Sequence, residues 1–132
     1  MATLLARLKV HPGKEADFEK TIRPLYEATH RLEPGCRRYE YLRGTTPGTY
    51  YVMLSFDDFM AFMTHQASPH HEAPDFPSLL AEIDLEWLDP VEGACDLPPS
   101  NPQAVPANAS ELVKTYAGNH QFTVPDWWNR LR

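Results

Sequence analysis

Apolar and polar residues alternate at the start of the chain. Leu4, Ala6, Leu8 and Val10 fall on one side and Leu5, Arg7 and Lys9 on the other, the period of two of a half-buried strand. His11-Pro12-Gly13 ends it. From Lys14 the period lengthens: Phe18, Ile22, Leu25, Thr29 and Leu32 step by four and three, forming one helical stripe. Pro24 lies inside that helix and should kink it, because it cannot donate to the Lys20 carbonyl. Glu33-Pro34-Gly35 stops the helix. Two strand-like runs follow, Cys36 to Thr45 and Thr49 to Phe56, joined as a hairpin through Pro47-Gly48. Asp57-Asp58 can cap a second helix with Phe59, Phe62 and Met63 on its apolar face. Ser68-Pro69 reads as an N-cap and first-turn proline of a short helix. Asp75-Phe76-Pro77 reads as a further start, carrying Leu79 and Leu80, and Ile83 to Val91 as the last strand.

The order β-α-β-β-α-β is the split βαβ pattern, so residues 1–95 are expected to form an α+β, ferredoxin-like antiparallel sheet with helices on one face. The other face is then expected to be apolar, and a second copy of the chain is its simplest cover, giving a homodimer. Residues 96–132 differ in composition. Asp96 to Ser110 carries Pro98, Pro99, Pro102 and Pro106 and reads as an extended linker. Beyond it come Leu112, Val113, Tyr116, Phe122, Val124, Trp127 and Trp128. A disordered tail is poor in aromatics, so this one is expected to dock, on its own subunit or on the partner's.

Composition narrows the classes of function. A net charge of −6 argues against nucleic acid, whose phosphates call for clustered Lys and Arg; Arg37-Arg38 is too small a cluster. No apolar run approaches the roughly 20 residues of a spanning helix, and the N-terminus lacks the pattern of a signal peptide, so a cytoplasmic location with no membrane partner is expected. Cys36 and Cys95 read as free thiols. No glycine-rich dinucleotide loop, P-loop, Cys-x-x-Cys or His-Glu-x-x-His occurs, and no cofactor is expected.

The candidate chemistry lies in "FMTHQASPHHE", Phe62 to Glu72, with three histidines. His65 and His70 are five apart, about 140° around a continuous helix, so metal binding would need a break near Pro69. No metal ligand is therefore assigned, and His71 is expected to be solvated. His65 follows Ala61 and Phe62 at the rim of the apolar stripe, where an imidazole can reach a pocket between helix and sheet. A rim histidine bonded only to a carbonyl is the structural alternative. Tyr39 and Tyr41 share one strand face and Tyr50 and Tyr51 point to opposite faces; such rings serve equally as core or as a platform for a flat aromatic. Arg7, Arg37 and Arg43 are candidate partners for a phenolate, or solvated.

Four fragments carry a resemblance: Pro12-Gly13-Lys14 after the first strand, Glu33-Pro34-Gly35 after the first helix, Tyr39 on the second strand, and His65-Gln66-Ala67-Ser68-Pro69-His70. Over about residues 1 to 92 the chain resembles the antibiotic biosynthesis monooxygenase (ABM) family. The resemblance implies a dimeric α+β barrel, two subunits pressed sheet to sheet. It also implies oxidation of an aromatic phenol, quinol or anthrone by O₂ without flavin, haem or metal. His65 is then expected as base with His70 beside it, and Tyr39, Tyr41, Tyr51, Ala61 and Phe62 as substrate contacts. Leu54 and Phe56 stand where many members carry Glu and Trp. Ala6 and His65 stand where the haem-degrading branch carries Asn and Trp, which disfavours haem degradation. An isomerase or lyase using the same histidines, and a non-catalytic binder whose tail fills the pocket, are the alternatives.

Overall fold

The computed structural model describes all 132 residues, Met1–Arg132. The alternation at the start becomes strand β1, Ala2–Val10, with Leu4, Ala6, Leu8 and Val10 buried and Arg7 and Lys9 exposed. Helix α1, Glu15–Leu32, follows a turn in which Gly13 takes a left-handed φ of 82°, costly for any residue with a Cβ. It runs through Pro24 as one 18-residue helix and buries Phe18, Ile22, Leu25 and Thr29 against the sheet. Strands β2, Cys36–Arg43, and β3, Thr49–Phe56, form the hairpin.

Helix α2, Phe59–Gln66, starts at Asp58, whose side chain accepts from the Ala61 amide at 2.7 Å. Two single-turn helices follow, α3 (Pro69–Glu72) and α4 (Phe76–Leu79). Strand β4 spans Leu80–Trp87, starting and ending earlier than the pattern Ile83 to Val91 predicts. The reason is pairing with β1: Leu80 lies opposite Val10 and Trp87 opposite Leu4, and beyond Leu88 the chain meets Pro90, which has no amide to donate.

The sheet order is β2-β3-β1-β4, every neighbour antiparallel, the ferredoxin-like arrangement expected. Phe18, Phe56 and Phe62 are wholly enclosed between sheet and helices, and each such side chain contributes about 1.5–3 kcal/mol by leaving water. The outer sheet face is less apolar than expected. Leu5, Leu42, Tyr51 and Met53 form a central strip, flanked by Arg7 and Lys9 and by Glu82, Asp84 and Glu86 of β4. No helix is long and apolar enough to cross a membrane.

Residues 96–132 fold back over their own helix layer. Ser100 is enclosed: its hydroxyl donates to the Leu88 carbonyl at 2.6 Å and accepts from the Thr3 amide at 3.2 Å. Helix α5, Glu111–Asn119, capped by Ser110, packs on α2. Phe122 stacks on Trp87 at 4.4 Å, and Trp128, in the final turn α6 (Asp126–Asn129), packs against Phe122 at 5.7 Å. The Arg132 guanidinium closes the wrap, donating twice to the Asp89 carboxylate and once to the Ser100 carbonyl.

Candidate active site

The site begins where three elements end. Glu33 is the C-cap of α1; its extended backbone (φ −110°) turns the side chain away from the helix toward α2 and α3. Pro34 prevents continuation, and Gly35 lets the chain pass close to α2, since a Cβ there would lie 2.8 Å from the Ala61 Cβ. Helix α2 stops just after His65. The Ser68 amide closes its last turn on the His65 carbonyl at 3.0 Å, and the Ser68 hydroxyl then caps α3 by accepting from the His71 amide at 3.2 Å. The break falls at Ala67-Ser68, just ahead of Pro69, and it brings His65 and His70 to the same carboxylate.

His65 is fully buried. Its Nδ1 lies 3.0 and 3.1 Å from the two Glu33 carboxylate oxygens, and His70 Nε2 lies 2.5 Å from Oε1 of the same group. Burial pushes the Glu33 carboxyl up, but the bonds and charge of His65, and then of His70, outweigh it and hold it below the ordinary value. Glu33 is thus an ionised acceptor between two donors. The Glu33, His65 and His70 donor atoms all lie within 4.8 Å of one another, so this is also where an ion could be held. The carboxylate–imidazole separations are those of hydrogen bonds, so a cation would have to displace those protons and spread the cluster.

With Nδ1 on Glu33, His65 keeps Nε2 for other work, and that buried atom has no hydrogen-bond partner in the chain. The ring edges Tyr39 at 4.6 Å, His71 at 4.9 Å and Phe56 at 5.0 Å. It borders a cavity of about 680 Å³ between the sheet and the helix layer, open on one side. Ala6, Leu8, Val52 and Leu54 floor it, and Tyr39 and Tyr41 stand beside His65 with their hydroxyls 2.8 Å apart. Burial pushes Tyr41 up to about 12 and Tyr39 well above the ordinary phenol range, so both remain donors at neutral pH.

Of the expected residues, His65, Tyr39 and Tyr41 border this cavity. His70 does not; it is held behind His65 by Glu33. Phe62 is core, packed on Phe56 and Trp87, and Ala61 faces Gly35. Tyr51 lies on the outer sheet face, because its parity is opposite to that of Tyr50 and Val52. Arg7 shares that face, while Arg37 and Arg43 pair with Asp57 and Glu19 at the surface. His71, expected in solvent, is half-buried and lines the cavity. Trp127 and Trp128 stand outside it, so the tail does not plug the pocket.

Two contributions escaped the sequence reading. Glu33 was legible only as part of a helix stop, although an acid before Pro-Gly at a helix end is a residue with a free direction to point. Tyr116, Asn119, His120 and Gln121 of the tail also line the cavity, and only the four-residue step from Tyr116 to His120 hinted at a shared face.

The sequence profile of the antibiotic biosynthesis monooxygenase family matches residues 1–73. A Caulobacter crescentus protein described as a candidate antibiotic biosynthesis monooxygenase is similar at 32% identity, over 69% of this chain and 90% of that one, with a TM-score of 0.64. A Pseudomonas aeruginosa protein is similar at 26% identity, over 66% and 90% of the two chains, with a TM-score of 0.60. A Mycobacterium tuberculosis protein, at 22% identity, over 71% and 98% and with a TM-score of 0.63, shares the fold. No curated protein matches the chain. The ferredoxin-like sheet, the profile and the Caulobacter likeness agree: the chain belongs to the antibiotic biosynthesis monooxygenase family.

Proposed function

We propose that the protein is a cofactor-independent monooxygenase acting on a small aromatic phenol, quinol or anthrone, with His65 as the general base. The observation that carries this reading is that His65, a residue lining an aromatic-bordered cavity, has a buried Nε2 without a hydrogen-bond partner while its Nδ1 is fixed on an ionised carboxylate. An imidazole held this way presents one lone pair in one direction, as a general base requires.

On an anthrone, His65 Nε2 takes a ring-methylene proton and leaves a delocalised enolate. The Tyr39–Tyr41 hydroxyl pair has one O–H left over after its mutual bond, available to the developing oxyanion. The enolate passes one electron to O₂. The resulting radical and superoxide combine, with a proton, to a hydroperoxide, which loses water to leave a new carbonyl. One O₂ is consumed, one oxygen atom enters the product and the other leaves as water. Burial of the base strengthens each of these electrostatic contacts.

His65→Ala is expected to lower O₂ consumption with a reduced anthrone or quinol at least about tenfold, a general base being worth roughly 10²–10⁴ in rate. An oxygen electrode reads the rate and a thermal melt checks the fold. Full turnover by the folded variant removes His65 from the mechanism, and full turnover of a substrate without O₂ assigns the site to isomerisation.

A further inference from the structure

The relatives match 65–73% of this chain while covering 90% or more of most of their own, so nearly a third of this chain lies beyond their common core. The family profile likewise ends at residue 73. Yet Tyr116, Asn119, His120 and Gln121 form part of the wall of the cavity that His65 borders. We infer that helix α5 is the specificity wall of this pocket, and that with it the pocket selects an uncharged, hydroxylated aromatic ring system over an anionic one.

This inference deepens the proposed function and rests on its placing of the substrate beside His65. Three observations support it. First, α5 is positioned by the chain's own packing. Ser110 caps it at 3.2 Å to the Val113 amide, Ala117 is buried against the body, and His120 lies on Phe62 at 5.3 Å. The Tyr116 hydroxyl donates to the Glu72 carboxylate just beyond His71, tying α5 to α3. Phe122, directly after the wall, is stacked on Trp87. The wall is therefore continuous with the aromatic docking of the tail and is built in cis.

Second, the lining contains no lysine or arginine, and its one acidic residue, Glu82, lies opposite Lys9 with the parity of the outer sheet face. Burial pushes His71 down to about 4, with His65 adding to the effect, and burial likewise lowers His120. Both imidazoles are uncharged at neutral pH, so neither compensates an anion. A sulfonate, phosphate or carboxylate entering this space would lose its hydration with no cation to replace it.

Third, the polarity is distributed in two places. The floor is aliphatic, with Ala6, Leu8 and Leu85. Hydrogen-bonding groups stand at the Tyr39–Tyr41–His65 end and again at the C-terminal end of α5, where Asn119 and, just beyond the helix, Gln121 offer amides and His120 an imidazole. A flat ring system with one hydroxyl at the base and another oxygen toward α5 matches that distribution.

The test is calorimetric and needs no turnover: 2-naphthol and 2-naphthalenesulfonate are titrated under nitrogen into the full-length chain and into Asn119→Trp and His120→Ala. Wild type is expected to bind 2-naphthol and to bind the sulfonate at least about tenfold more weakly. Asn119→Trp, at an exposed position that leaves the core untouched, is expected to weaken naphthol binding about tenfold or more by narrowing the space. His120→Ala is expected to weaken it about three- to tenfold, the range of one lost neutral hydrogen bond. Wild type that ignores naphthol, sulfonate binding as tight as naphthol, or both folded variants binding like wild type would each overturn the inference. Binding that depends on α5 in a protein that never consumes O₂ would leave the inference standing and remove only the oxygenase reading.

Discussion

Glu33 sits under opposing pressures. Enclosure in the protein favours its neutral form, whereas two imidazoles within hydrogen-bond distance favour the carboxylate, and the imidazoles prevail. A lowered carboxyl pKa has a definite sign for stability. The native state binds the proton less readily than the unfolded chain, so the contribution is present above the ordinary carboxyl pKa of 4.5 and is lost as pH falls through the lowered native value. Glu33→Gln keeps the shape and removes the charge. It is expected to destabilise the protein by about 1–3 kcal/mol at pH 7, with the gap from wild type closing in acid, as thermal melts across pH will show. Because Glu33 acts through His65, the same variant should also shift the pH profile of O₂ consumption. A gap in stability that persists unchanged at pH 3, or an unmoved profile, would show that the carboxylate neither carries the charge nor orients the base.

The geometry that lets Glu33 reach His65 belongs to elements. Helix α1 must end, strand β2 must begin, and α2 must pass across that junction at close range. The Gly35–Ala61 approach sets this distance: an added Cβ at residue 35 would meet the Ala61 methyl at 2.8 Å, nearer than two such carbons pack. Gly35→Ala is expected to cost about 1–3 kcal/mol by overpacking and to reduce turnover by moving α2 away from Glu33. Ala61→Gly in the same chain opens the space and should recover much of both losses. Failure of the second substitution to rescue the first would place the effect of Gly35 elsewhere. The hinge between α2 and α3 works on the same scale. Ser68 closes one helix on the His65 carbonyl and caps the next, converting five residues of sequence separation into one shared carboxylate.

For the whole molecule, the outer sheet face remains to be covered. Leu42 is 55% exposed there, beside Tyr51, Leu5 and Met53, in a strip crossed by cations of β1 and carboxylates of β4. Two copies meeting face to face would bury the strip, while Arg7 and Lys9 already lie opposite Asp84 and Glu82 of their own chain. Sedimentation at micromolar concentration is expected to show a homodimer, and Tyr51→Glu, in the centre of the strip, to shift it toward monomer while leaving the cavity intact. A monomer at every concentration would refute this. The chain's periodicities and caps determined the element order, because a period of two or of 3.6 with Ser, Asp, Pro and Gly at the ends leaves each segment few conformations. They also placed Tyr39 and Tyr41 on one strand face and His65 at the rim of the apolar stripe of α2, since parity and helical phase are local. Local rules end there. That Glu33 is an anchor, that His71 is drawn in while His70 stands behind, that Phe62 and Ala61 are packing, and that α5 walls the cavity were decided by contacts between segments tens of residues apart. A side chain's role in such contacts depends on what arrives opposite it, and only the folded chain brings the two together.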